Sequence, residues 1–405
     1  MEVDRRTLLT AGALPLASLP IETGWDRIAE QYDVTRDVVQ LEHGNWGMMA
    51  RPVLAAYRQL TKRVNGDTSF YARRTMVADL EAVRARVAAA LGVVPDEVAL
   101  TRNATEALRA LILGYNRLQP GDTVIYADLD YDSMQACVEA LAARRGARLV
   151  KLALPEPANY ERLIETYTDA FAAHPGARLL LLTHVSHRTG LVLPVRAIAD
   201  AARAHGIDTI VDAAHSFGQL DFALPDLGAD FVGVNLHKWV GAPLGAGALH
   251  IRRDRIRDVD PDPAEGGPER SDIRTRVHMG TYDYAAHLTI PVALDFQAQI
   301  GAAARAARLH ALRDRWAEAL RSDERFEILT PADPRLSGAI TSFRLRGKTG
   351  HDDNVALARK LLDQHRIFTV HRDGLASGSC VRVTPALATR VEQVDRLVTA
   401  LRALA

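Results

Sequence analysis

From Asp96 onward the chain alternates short extended apolar runs with helical patterns, and this alternation constrains the fold more than any other feature. The clearest runs are 123–127, 149–154, 178–185, 208–211, 231–235 and 246–251. They are near-continuously apolar rather than alternating, which marks strands buried on both faces of a mainly parallel sheet. Helical stretches at 132–145 and 195–205 lie between them, the second closed by Gly206. An α/β domain with helices on both faces of its sheet follows. A loop rich in Pro, Gly and acid at 261–269 precedes a long helical stretch at 285–321. Beyond it come extended runs at 327–329, 339–345, 367–370 and 380–383, a helix at 353–365 and a last helix from 388, the pattern of a smaller α+β domain. The division expected is 1–20 as a leader, 21–50 as an N-terminal segment, 51–290 as the large domain and 291–405 as the small one.

Composition narrows the function classes. With 50 Lys+Arg against 50 Asp+Glu in 405 residues, the chain lacks the basic excess of a general nucleic-acid binder. Cys137 and Cys380 stand far apart, so there is neither a disulfide framework nor a CxxC motif. At the N-terminus, Arg5 and Arg6 precede an apolar run at 8–19 broken by Gly12 and Pro15, which reads as a twin-arginine export signal and predicts a periplasmic protein. The competing reading is a surface-docked helix on a cytoplasmic enzyme. The run is too short to span a bilayer, and no second stretch of spanning length follows.

In open parallel sheets the chemistry sits at the carboxyl ends of strands. Asp212 ends the run IDTIVDAAH, and Lys238 follows the next run, FVGVNLHKW. Alone, such an Asp caps a helix and such a Lys sits on a rim. Together at adjacent strand ends they suggest a pyridoxal phosphate site, with Lys as the Schiff-base residue and Asp facing the pyridinium nitrogen. The segment 101–105 lies between the apolar EVAL and the helical EALRALILG, where helix-start N–H groups and the Thr105 hydroxyl suit a phosphate, or serve as an ordinary N-cap. Tyr131 is placed to stack on the cofactor ring, and His184 and His215 are candidates to contact its phenolic oxygen.

The segments HVSHRTGLVLPV, IVDAAHSFGQ, GADFVGVNLHKW and GAPLGAGALHI, with LEHGNWG and RNATEAL before them, resemble fold-type I, class V aminotransferase-family enzymes, nearest the isopenicillin N epimerase-like subgroup. The resemblance runs from about Leu41 to the C-terminus and implies a seven-stranded-type sheet. It implies Lys238 as the cofactor lysine, Asp212 as its pyridinium partner, His215 beside it, Tyr131 on the ring, Ala104 and Thr105 as the phosphate loop and His237 near the phosphate. Gly280-Thr281 matches the family's phosphate contact from a second subunit, which implies a homodimer with shared sites. Arg382 falls where the family keeps its α-carboxylate arginine, with His43 and Asn45 as further pocket residues. Three departures stand out. Glu42 replaces the usual Asn, His184 replaces an Asn of the desulfurase branch, and His187-Arg188 replaces a shorter turn, either to read a substrate or to cover the loop.

Other signals fail. Gly347-Lys348-Thr349 has Ser342 where a P-loop needs Gly, and no HExxH motif is present, so neither a nucleotide nor a metal site is expected. Neither cysteine stands where desulfurases keep their persulfide loop. The function expected is therefore a pyridoxal phosphate enzyme acting on the amino group or α-carbon of an amino-acid or peptide-like substrate, aminotransferase-like. The twin-arginine start adds a resemblance to exported enzymes that tailor the glutamyl end of pyoverdine-type siderophores. A cytoplasmic epimerase or lyase and a non-catalytic binding protein on the same scaffold are the alternatives. The stretch FYARR at 70–74 is either a cationic wall for an acidic substrate or a solvated helix start.

Overall fold

The computed structural model describes residues 21–265 and 271–404, so the leader expected at 1–20 lies outside the described residues. The chain runs α1 (Ile21–Ala29), β1 (Val39–Gln40), α2 (Arg51–Arg74), α3 (Met76–Leu91), β2 (Val98–Thr101), α4 (Ala104–Gly114), β3 (Thr123–Ala127), α5 (Asp132–Arg145), β4 (Arg148–Leu152), α6 (Tyr160–Ala173), β5 (Ala177–Thr183), α7 (Val195–Ala204), β6 (Asp208–Asp212), β7 (Phe231–Asn235) and β8 (Gly247–Ile251). It continues through α8 (Tyr284–Ile300), α9 (Ala302–Arg321), β9 (Phe326–Ile328), β10 (Thr341–Leu345), α10 (His351–His365), β11 (Ile367–Phe368), β12 (Val370–Arg372), β13 (Cys380–Val383) and α11 (Val391–Leu404). Among the described residues no helix is long and apolar enough to cross a membrane.

Seven strands form the large sheet in the order β2-β8-β7-β6-β5-β3-β4, with β8 antiparallel to both of its neighbours and the other pairs parallel. Burial on both faces explains the continuous apolar runs of the inner strands, whereas β4, which holds most of the run at 149–154, lies at the sheet edge and is largely exposed. On β3, Val124 and Tyr126 pack with Leu108 and Leu111 of α4 and Met134 and Val138 of α5, whereas Ile125 and Ala127 pack with residues of α6, α7 and α8. The chain leaves β3 in one direction to reach β4 and returns past it to β5, β6 and β7, so the strand order reverses between β3 and β5. A crevice opens at such a switch point, beyond the carboxyl ends of the strands.

A four-stranded antiparallel sheet, β12-β13-β10-β9, forms the smaller layer, and its core includes Leu312, Trp316, Phe326, Phe343, Leu361 and Leu397. Val39 and Leu41 share that core, because β1 pairs in parallel with β11 and Glu42 bridges Thr384. Residue 290, where the sequence reading divides the domains, lies inside α8, which packs on α2 and α3. The stretch read as one helix at 285–321 is two, broken at Gly301 with φ 85°. The run at 367–370 splits as well, with Ile367 entering the small-domain core beside β1 and Val370 beginning a strand against β13.

Phe343 is fully buried, 5.6 Å from the Trp316 ring in an edge-on contact and 6.3 Å from Phe326. Phe343→Ala is expected to cost about 3–5 kcal/mol of small-domain stability, because the surrounding rings cannot close the cavity. A lower denaturant midpoint checks this.

Candidate active site

A cavity of about 550 Å³ opens at the switch point, lined by residues that follow the carboxyl ends of β2, β3, β5, β6 and β7 and closed from the small domain by Arg372 and Arg382. Asp212, the last residue of β6, points into it, and its Oδ1 accepts the Ala214 N–H at 2.9 Å. Burial pushes this carboxyl above its ordinary range, while the Ala214 N–H and the nearby Lys238 charge pull it back. Lys238 extends from the turn after β7, with Nζ 3.0 Å from His215 Nε2. Burial lowers the Lys238 pKa to about 8 against the opposing pull of Asp212. The same burial, reinforced by Lys238, holds His215 well below its usual value, so its imidazole is neutral.

The other end of the cavity is built to take an anion. Asn103 caps α4 by accepting the Glu106 N–H at 2.8 Å, and Asn235, at the end of β7, accepts the Ala104 N–H at 2.7 Å. Thr105 remains, its hydroxyl without a partner among the described residues, facing the cavity at the positive end of the helix. Helix and sheet approach closely here, since a Cβ on Gly247 would fall 2.7 Å from the Asn103 backbone. Only glycine permits that contact. His237 lines the same end and donates Nδ1–H to the Ala246 carbonyl at 3.1 Å, and burial lowers its pKa to about 4.

Tyr131, Asn45 and Arg382 also line the cavity, so the sequence-predicted residues Asp212, Lys238, His215, Ala104, Thr105, Tyr131, His237, Asn45 and Arg382 converge on one space. The Tyr131 ring stands edge-on to His187 at 5.2 Å. Four predicted residues do not converge. Thr183 and Val185 face the cavity, and His184 between them points to the opposite side, edge-on to Phe222 at 5.0 Å; the strand's period of two removes it from the phenolic-oxygen role and leaves His215. His43 is likewise buried away from this space, beside Tyr32 and Gln297. Gly280 and Thr281 are exposed and do not line the cavity of their own chain.

The structure also decides the open sequence alternatives. Both His187 and Arg188 line the cavity, and Arg188 also fastens the loop: its buried guanidinium pairs with Asp132 and donates to the carbonyls of Asp128 and Gly374. The FYARR stretch forms the last turn of α2 rather than a helix start, and none of its residues lines the cavity. Sequence reasoning missed Asn235 and Arg372, whereas Asn103 lies in the 101–105 segment already read as phosphate loop or N-cap. Asn235 follows the strand-end rule already applied to Asp212, but its side chain does not titrate, so it did not stand out as chemistry.

The donor set fits pyridoxal phosphate. A buried carboxylate and a buried lysine border a space that ends in a helix start, and His215 and His187 each keep an Nδ1 with no partner among the described residues. Fold and cavity together define a fold-type I pyridoxal phosphate enzyme. The family model of the class-V aminotransferases matches residues 48–397, and the chain belongs to that family. It is 31% identical over 397 residues to isopenicillin N epimerase of Streptomyces clavuligerus, covering 94% of this chain and 98% of that one. Among solved structures it superposes on the apo cysteine desulfurase of Thermococcus onnurineus NA1 with a TM-score of 0.81 at 22% identity, covering 96% and 99% of the two chains. A C-DES variant with glycine covalently linked to its PLP cofactor superposes with a TM-score of 0.78 at 21% identity, covering 92% and 98%.

Two outcomes are expected. Between about 8 and the ordinary lysine value of 10.5, the unfolded chain holds a proton on residue 238 that the folded apoprotein does not, so this group makes stability rise with pH across that window. The contribution reaches at most about 1.4 kcal/mol per pH unit. Subtracting the stability–pH curve of Lys238→Met from that of the wild type isolates it. Gly247→Ala is expected to push the start of α4 out of place and weaken uptake of pyridoxal phosphate about tenfold or more, while uptake of the phosphate-free aldehyde pyridoxal changes little.

Proposed function

We propose that the protein moves the α-proton of an amino-acid or peptide-like substrate, as an aminotransferase-like modifying enzyme. One observation carries this reading: Lys238 Nζ lies 3.0 Å from a neutral His215 in a buried site where burial brings the lysine to about pKa 8. An amine in that state is a nucleophile and a base near neutral pH. Pyridoxal phosphate, when bound, supplies an electron-withdrawing ring that makes the bonds at the amino-bearing carbon labile. Asp212 would hold the proton of the ring nitrogen, Tyr131 and His215 would fix the ring, and Thr105 with the start of α4 would take the phosphate.

Persulfide chemistry finds no support. Cys380 is buried on β13 with its thiol pushed up to about 12 by burial, Cys137 sits on α5, and neither lines the cavity. Epimerisation is the second reading, favoured by the 31% identity to an isopenicillin N epimerase, and it needs the same proton removed from one face and a proton delivered to the other. The homodimer belongs to this proposal: Gly280 and Thr281, exposed on their own chain, would complete the phosphate site of a partner. Export through the Arg5-Arg6 leader, and action at the glutamyl end of a siderophore, are its finer parts and rest on sequence alone.

Incubating the loaded protein with amino acids and γ-glutamyl peptides in deuterium oxide tests the reading. A keto product is expected; an inverted centre carrying solvent deuterium would favour the epimerase. Neither exchange nor product from a protein that nonetheless binds these compounds would favour a binding protein. Lys238→Ala should lower the proton-transfer rate by about 10²–10⁴-fold. Cell fractionation of the full-length chain and of Arg5→Lys/Arg6→Lys tests export, the substituted leader being expected to keep the protein in the cytoplasm.

A further inference from the structure

Arg382 on β13 stands opposite Val370 on β12, so Arg372, two residues on, is its diagonal neighbour on the same face of the small sheet. Glu42 reaches this face from the side, because it bridges Thr384, two residues beyond Arg382. The three side chains therefore meet. Glu42 Oε1 accepts from Nη2 of Arg382 and, at 3.2 Å, from Nη2 of Arg372, while Glu42 Oε2 accepts from Arg382 Nε at 3.3 Å. Nη1 of Arg382 donates to the His187 carbonyl. Every nitrogen of Arg382 is thus engaged by protein, and its side chain is only 1% exposed.

Arg372 is less fully enclosed. It keeps a quarter of its side chain exposed, at 25%, and lines the cavity. Nη1 donates to the His371 carbonyl at 3.2 Å, and Nε has no partner among the described residues. Two guanidiniums share one carboxylate, which leaves one positive charge uncompensated at the cavity wall. Asp373, the next acid along, is held by the Ser379 hydroxyl at 2.6 Å and by His351 at 3.1 Å. Burial and the Arg382 charge press the Arg372 pKa down to about 10, as expected of a cation short of an anion.

We propose that Arg372, not Arg382, receives the substrate carboxylate, and that Glu42 causes this reassignment by filling the Arg382 fork. The proposal rests on reading the cavity as the site of an amino-acid or peptide-like substrate. For a substrate to reach Arg382 instead, Glu42 would have to give up its bidentate partner while buried, and an unpaired buried carboxylate is strongly unfavourable. Glu42 thereby sets specificity without touching the substrate. With Nε buried and Nη1 and Nη2 each bonded once, Arg372 offers the anion its positive charge and the second hydrogens of its two terminal nitrogens.

The test uses holoenzyme loaded with pyridoxal phosphate and a ligand-observed NMR titration with propionate, with propionamide as the uncharged control. Arg372→Gln is expected to weaken propionate binding about tenfold or more and to leave propionamide unchanged, and Arg372→Lys to fall between. In a Glu42→Gln background, where Arg382 regains an open edge, Arg372→Gln should cost several-fold less than in the wild type. A loaded protein whose propionate affinity stays within about twofold on Arg372→Gln overturns this proposal alone. A wild-type chain that takes up no pyridoxal phosphate overturns it together with the cofactor reading.

Discussion

Taking a lysine ammonium out of water is costly, and the site is organised around that cost. Lys238 is withdrawn into the crevice after β7, where Asp212 offsets part of the desolvation and the neutral His215 offers a hydrogen-bond partner at 3.0 Å. Everything else follows from holding these groups together. The parallel strands must end in one row, helices must cover both faces to exclude water, and a second layer must close the open side. The result is a lysine poised between its protonated and neutral forms, which is the condition for acting as a nucleophile first and a base afterwards.

Much of this was legible in the sequence, for a physical reason. Strands buried on both faces cannot alternate, so 123–127 and 231–235 coincide with β3 and β7. Helices with a clear start and a glycine stop were equally plain, as with 132–145 and α5. Asp212 and Lys238 could be paired because strand-end position and chemistry pointed the same way. What escaped notice depends on alternation or on long-range pairing. His184 and His43 are the right residue types one position out of phase with the cavity-facing side chains. Helices α2 and α3 carry few buried side chains and gave no strong pattern.

The Glu42–Arg382 pair shows the limit of reading roles from resemblance. The sequence placed Arg382 correctly in space, and the departure at Glu42 was visible beside it. Only the bridge between Glu42 and Thr384 shows that the two side chains meet, and contacts between residues so far apart in the chain leave no local trace. A carboxylate-reading arginine and an arginine neutralised by an internal carboxylate look the same in one dimension.

The small domain is also stitched from segments far apart in the chain, since β1 lies against β11 and Glu42 against Thr384. Its arginine-bearing wall consequently cannot form until β12 and β13 have been synthesised, because Glu42 must wait for them. The large layer has its strands much earlier. A nascent protein would thus possess the lysine and its carboxylate well before it could discriminate among the molecules that reach them, and selectivity would be acquired after the means of reaction.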